Sequence, residues 1–256
     1  MYRTALALLI ATSLLSSACA QGVAVQLTPQ TVLPIVFTQT VSAKNARTGA
    51  TVSAKTIQAV QLPNGAVIPA GSRVVGHVTE AQAFAYDKTP YARQKDATLT
   101  IHFDSLEASG ERVSLNVTVR AMADYFATNA AQEPTSSDLD SLGTLTLVGG
   151  DLLTPSQAKV RNMDNDVVAY NRHGGVFAHL VANGRCDGGS TEVSMGIYSA
   201  SACGLYGYTG VSVTEFGSAI TPSTLTLVSH HTSPEIAKHS TALLEVLQQE
   251  QASTGR

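Results

Sequence analysis

The chain has 256 residues, 44% of them hydrophobic and 14% charged, with a formal net charge of -3. So low a charged fraction, with no clustered Lys and Arg beyond Lys44, Arg47 and Lys55, argues against a nucleic-acid partner, because phosphate binding needs grouped cations. Abundant Thr, Ser, Val and Ala suit half-buried strands instead, and about 235 residues suffice for one large β-domain or two smaller ones.

The chain opens with Arg3, an apolar run from Ala5 to Leu15 broken only by Thr12 and Ser13, and Ala18-Cys19-Ala20 before Gln21. This is the pattern of a signal peptide over residues 1–20, which places the mature chain in the periplasm or outside the cell. The run is about half of the roughly 20 apolar residues that an uncut span needs. Cys19 follows Ser16-Ser17-Ala18, whereas a lipidated cysteine prefers an aliphatic residue where Ser16 stands; an outer-membrane lipoprotein anchored through Cys19 is the alternative. No later window is apolar enough for a transmembrane helix, although strands inserted in a bilayer would leave a weaker trace.

Strands dominate residues 21–122. Val32 to Thr38 reads as an edge or initiating strand, because Pro34 cannot donate to a ladder. Thr51 to Val60 follows, and Leu62-Pro63-Asn64-Gly65 predicts a hairpin turn into Ala66 to Ile68. Pro69-Ala70-Gly71 turns again into a strand over Arg73 to Ala81, with Val74, Gly76 and Val78 on one face and Gly76 permitting a close approach or a bend. Leu99, Ile101 and Phe103 alternate with Thr98, Thr100 and His102. After a turn at Glu107 to Gly110, Val113, Leu115, Val117 and Val119 alternate likewise, which predicts an antiparallel hairpin with one wet face.

Beyond Met122 the texture changes. Residues 123–145 read as a surface loop, Leu145 to Val148 as a further strand, and Thr154-Pro155-Ser156-Gln157 as the start of a short helix near 155–162. Residues 123–220 as a whole are expected to form an inserted, glycine-rich irregular lobe, and 221–256 the closing strands and a polar tail. Ser233-Pro234-Glu235 could cap a helix, and 241–247 fits helix or strand spacing equally. The fold class expected is mainly β: an antiparallel barrel or sandwich with this lobe and one or two short helices.

Val67-Ile68-Pro69-Ala70-Gly71-Ser72-Arg73-Val74-Val75-Gly76-His77-Val78, followed by Leu99 to Leu106 and a turn into Arg112, resembles the C-terminal domain of TrbI-type subunits of conjugation and type IV secretion systems. It is also similar to small exported proteins of acidobacteria-like genomes. The resemblance covers about residues 31–121 and the segment 241–247, which it implies to be a strand. It implies an antiparallel β-domain and, as an alternative function, a divergent channel component. The chain departs from that family in its cleavable leader, its lack of a proline-rich spacer and its glycine-rich lobe.

Residues that carry chemistry are sparse. Of the seven histidines, His77 and His102 fall in strands, His173 and His179 in the lobe, and His230, His231 and His239 near the end. Pairing His230 or His231 with His239 lacks the ligand spacing of a metal site, so no metal or cofactor is expected. Asn162 to Asp166 resembles a calcium loop, but Val167 replaces the turn glycine and His173 the bidentate glutamate. There is no G-x-S-x-G elbow. Cys186 and Cys203 form the even pair left after leader removal, and a disulfide between them is expected in an oxidising compartment. Asp164, Asp166, His173 and His179 are the densest polar group and would house a hydrolase-like site if they converge. Tyr198, Tyr206 and Tyr208 are the only aromatic platform for a carbohydrate. The expected function is a non-enzymatic envelope or secreted protein with a structural or binding role toward an unidentified envelope protein or surface ligand.

Overall fold

A computed structural model of the chain describes residues 24–90, 93–132 and 203–248, together with the backbone of short strands between 146 and 198. The protein is mainly β. Ten strands form one large mixed sheet: β1 (Val32–Phe37), β2 (Thr51–Thr56), β3 (Arg73–Gln82), β4 (Ala97–Ala108), β5 (Glu111–Ser114), β6 (Val117–Ala123), β7 (Gly204–Tyr206), β8 (Ser212–Glu215), β9 (Thr224–Ser229) and β10 (Thr241–Val246). Their order is β7-β6-β10-β1-β2-β3-β4-β9-β8, with β5 paired to β4 alone; only β6–β7 is parallel. β7 and β8 thus lie within the segment expected as a lobe, yet pair in this sheet.

The sheet curls nearly into a barrel, and one serine ties the seam. Ser223, fully buried and held at φ 59°, donates its amide to the Val117 carbonyl at 2.7 Å and accepts from the Phe103 amide at 2.9 Å. Its hydroxyl accepts from the Val117 amide at 3.1 Å and donates to the Leu115 carbonyl at 3.0 Å. Phe216 adds to the seam through its carbonyl, which accepts from the Val119 amide. Inside, Phe37 and Phe103 lie 6.4 Å apart among Leu33, Ile35, Leu99, Ile101, Leu106, Met122, Leu225 and Leu227, all fully buried. The predicted turn at Leu62–Gly65 forms, with Gly65 at φ 84°, and its hairpin (Val60–Gln61 with Val67–Ile68) adds Val60, Leu62 and Ile68 to this core.

Further expectations need correction. β1 is not an edge strand: it lies between β10 and β2. The Pro34 carbonyl accepts from the Ile57 amide just past the end of β2. The donor that proline lacks would point to the same side, where the ladder has already ended. The hairpin after β4 is shorter than expected. It turns at Ser109-Gly110, at φ 53° and 84° as a type I′ turn requires, and pairs only Ser105–Ala108 with β5. The chain then switches at Asn116, whose carbonyl accepts from Leu247, and β6 joins β10 instead. The stretch Leu99–Phe103 therefore pairs with β3 and β9, its Leu99, Ile101 and Phe103 side chains turned into the core, and Thr100 on the supposed wet face is only 8% exposed, its hydroxyl 3.2 Å from that of Thr226.

In place of the start of a loop stands helix α1 (Tyr125–Gln132), capped by Asp124, whose carboxylate accepts from the Ala127 amide at 2.6 Å. The helix expected near 155–162 is absent from its described part: Asp151–Pro155 and Lys159–Arg161 are paired strands of a five-stranded antiparallel sheet that also contains Thr146–Val148, Val167–Arg172 and Gly175–Val176. Cross-strand pairing there overrides a capping signal that is purely local. The ambiguous end resolves as strand β10.

Candidate functional site

Among the described residues, two surface features of the barrel stand out. The first lies on the outer face of β3 and β4. Ser105 pairs with Val75 and Phe103 with Gly76, which leaves Asp104 without a cross-strand partner. Inward alternation shifts phase at this bulge, from Leu99, Ile101 and Phe103 to Leu106 and Ala108. Such bulges re-aim side chains. Here the Asp104 carboxylate is brought against His77, whose Nδ1 lies 3.0 Å from both its oxygens. His102 completes the group, its Nε2 3.9 Å from Asp104 Oδ1 and its ring centroid 5.6 Å from that of His77.

Gly76 permits this arrangement: a Cβ there would collide with the His102 carbonyl oxygen and come within 3.2 Å of Phe103 Cα. His102 Nδ1 lies 3.4 Å from the Thr224 hydroxyl. That hydroxyl does not complete a catalytic triad, because the separation of His102 and Asp104 exceeds a hydrogen bond. The side chains of His77, Asp104 and His102 are each a third or more exposed, which leaves their charges well screened. The group faces solvent rather than a cleft.

The second feature is a groove of about 1060 Å³ at one end of the barrel. Residues 25–29 form one wall; Val113, Ser114 and Asn116 form another, with Ala219 and Val246 to Gln248 completing the lining. Among the described residues no lining side chain is charged. Val25, Leu27, Val113 and Leu247 provide apolar surface, and Gln26, Ser114, Asn116 and Gln248 provide amides and a hydroxyl. The Val25 amide donates to Glu111 Oε2 at 3.1 Å, tying the first wall to β5. At the far end of β5, Arg112 bonds Glu107 and holds its carboxyl below the ordinary carboxylate range.

The residues singled out from sequence are placed unevenly. Asp164, Asp166, His173, His179 and Cys186 lie outside the described residues. Cys203 is buried at 2% exposure just before β7. His230 Nδ1 lies 2.6 Å from Asp96, and the His239 ring packs 6.1 Å from Tyr125, so His230 and His239 serve different neighbours. Among the described residues no three His, Cys, Asp or Glu side chains converge to hold a metal ion. Tyr206 and Tyr208 bury their hydroxyls, and burial pushes the Tyr208 phenol far above its usual range, so these two rings are no exposed platform. Asp104 was missed, although the phase change between Phe103 and Leu106 is visible in the sequence. The groove leaves no local motif, because its walls are remote in the chain. No protein-family model matches the chain, and neither a curated protein nor a solved structure is significantly similar to it.

Proposed function

We propose that the chain is an exported, non-enzymatic protein of the cell envelope or exterior that works by binding, with the groove at the end of the barrel as its site. The observation that supports this reading most is made among the described residues: the barrel interior is filled by fully buried side chains, whereas the groove is a recess of about 1060 Å³ whose described lining is uncharged and mixes apolar and polar groups. Recesses of this size and lining suit ligands held by shape and a few placed polar groups. The reading takes residues 1–20 as a leader removed on export, with lipidation of Cys19 as the alternative anchor, and it pairs Cys186 with Cys203 in an oxidising compartment. From the TrbI-type resemblance it keeps the antiparallel β-domain and not the channel role.

Fractionation of a bacterium expressing the full chain tests the reading. Recovery in the periplasmic, secreted or outer-membrane fraction is expected, and a full-length cytoplasmic protein would refute it.

A further inference from the structure

We infer that the groove takes an extended, uncharged peptide segment of a partner protein, which adds as a strand to the free edge of β5; this rests on the binding role proposed above. β5 is the one strand of the large sheet that lies off its continuous path, paired to β4 alone. The Ala108–Glu111 pair flanks the two-residue turn, and the Leu115 amide donates to the Asp104 carbonyl at 3.0 Å. Glu111, Val113 and Leu115 therefore direct their main-chain groups at β4, and the alternation of an antiparallel ladder turns those of Arg112 and Ser114 the other way.

None of these outward groups has a hydrogen-bond partner among the described residues. They are two residues apart, the spacing at which a neighbouring strand exchanges its bonds. Ser114 and Val113 also line the groove, so the open edge and the recess are continuous.

The chemistry selects the occupant. Unpaired N–H and C=O groups are satisfied by another backbone and not by an acyl chain. Among the described residues the recess itself carries no charged side chain, Arg112 lying outside it and bonded to Glu107, so a charged residue seated in the recess would lose its hydration without a counter-ion. Apolar walls at Val25, Leu27 and Val113 favour a strand with apolar residues on one face.

The probe is a capped hexapeptide of alternating threonine and valine, compared with the same peptide N-methylated at alternate residues and with dodecyl maltoside, all added to the full mature chain. Amide exchange at Arg112 and Ser114 is the readout. The unmethylated peptide is expected to slow both by about tenfold at saturation, the scale of two edge hydrogen bonds, while the methylated one leaves them unchanged. Ser114→Pro removes an outward donor without touching the β4 ladder and should weaken peptide binding by about tenfold. Its near-ultraviolet circular dichroism, unchanged from the parent, shows that the barrel is intact. Equal binding of both peptides, or no binding of either, overturns the inference. So does protection of both amides before any peptide is added, which would mean that the chain's own residues fill the edge. Detergent-induced shifts at Val25, Leu27 and Leu247 without any peptide effect also overturn it, while leaving the broader binding role in place.

Discussion

Replacing Ser223 with alanine probes the seam that closes the barrel. The substitution keeps the backbone links to Phe103 and Val117 but removes the hydroxyl that serves the Val117 amide and the Leu115 carbonyl. Ser223 is 0% exposed, so water cannot replace the lost partner. A buried donor left unsatisfied costs about 1–3 kcal/mol and the second bond about 1 kcal/mol, so Ser223→Ala should destabilise by roughly 2–4 kcal/mol. Ser223→Gly loses the same bonds yet relieves the φ of 59°, which costs an L-residue about 1 kcal/mol. Glycine should therefore be the less damaging replacement by about that amount. Urea unfolding at neutral pH reads both: with a slope of about 3 kcal/mol/M, the alanine variant should lose about 1 M in midpoint. A midpoint within about 0.2 M of the parent, well inside that expectation, would refute the idea that this hydroxyl ties the seam.

Other substitutions test other parts of the account. Gly76→Ala should cost about 3 kcal/mol by forcing β3 from β4 at His102, while Gly65→Ala, with open space around it, should cost about 1 kcal/mol for its φ alone; urea midpoints compare them. Phe103→Ala should lose about 3–5 kcal/mol and Thr100→Ala about 1 kcal/mol, since the latter gives up only a shared hydroxyl contact; calorimetry should rank them in that order. Because the Arg112 hydrogen bond lowers the Glu107 pKa in the folded protein, its contribution is present above the ordinary value of 4.5 and fades as pH falls below it. Glu107→Gln should thus differ from the parent at pH 7 and converge with it in acid, a small effect for an exposed pair that urea midpoints across pH would record.

The parts of the fold legible in the sequence are those fixed by near neighbours. Asn64-Gly65 makes its turn because glycine accepts φ 84° and the Asn64 side chain accepts from the Ala66 amide. Period-2 patterning located β3 and β4 for the same local reason. What escaped depends on distant partners. Pro34 looked like an edge marker until the end of β2 fell beside it. Thr154-Pro155 looked like a helix start until Arg161 and Val160 paired with it. Helix α1 carries an aspartate cap but no glutamate at the third position and a mixed Ala, Asn and Thr surface, so its periodicity is faint. In the candidate site, His77 and His102 were placed on strands correctly, but their meeting through Asp104 depends on a bulge whose register only the paired strand reveals.

The central claim, that this is an exported binding protein stapled outside the cytoplasm, is tested most directly by the intact mass of the chain recovered from the envelope fraction without reduction. The account predicts a polypeptide beginning at Gln21, or a lipid adduct on Cys19, and a mass lighter by two hydrogens than the reduced form, as the proposed Cys186–Cys203 bridge requires. A mass that retains Met1 to Ala20, with both of those cysteines free, would contradict it.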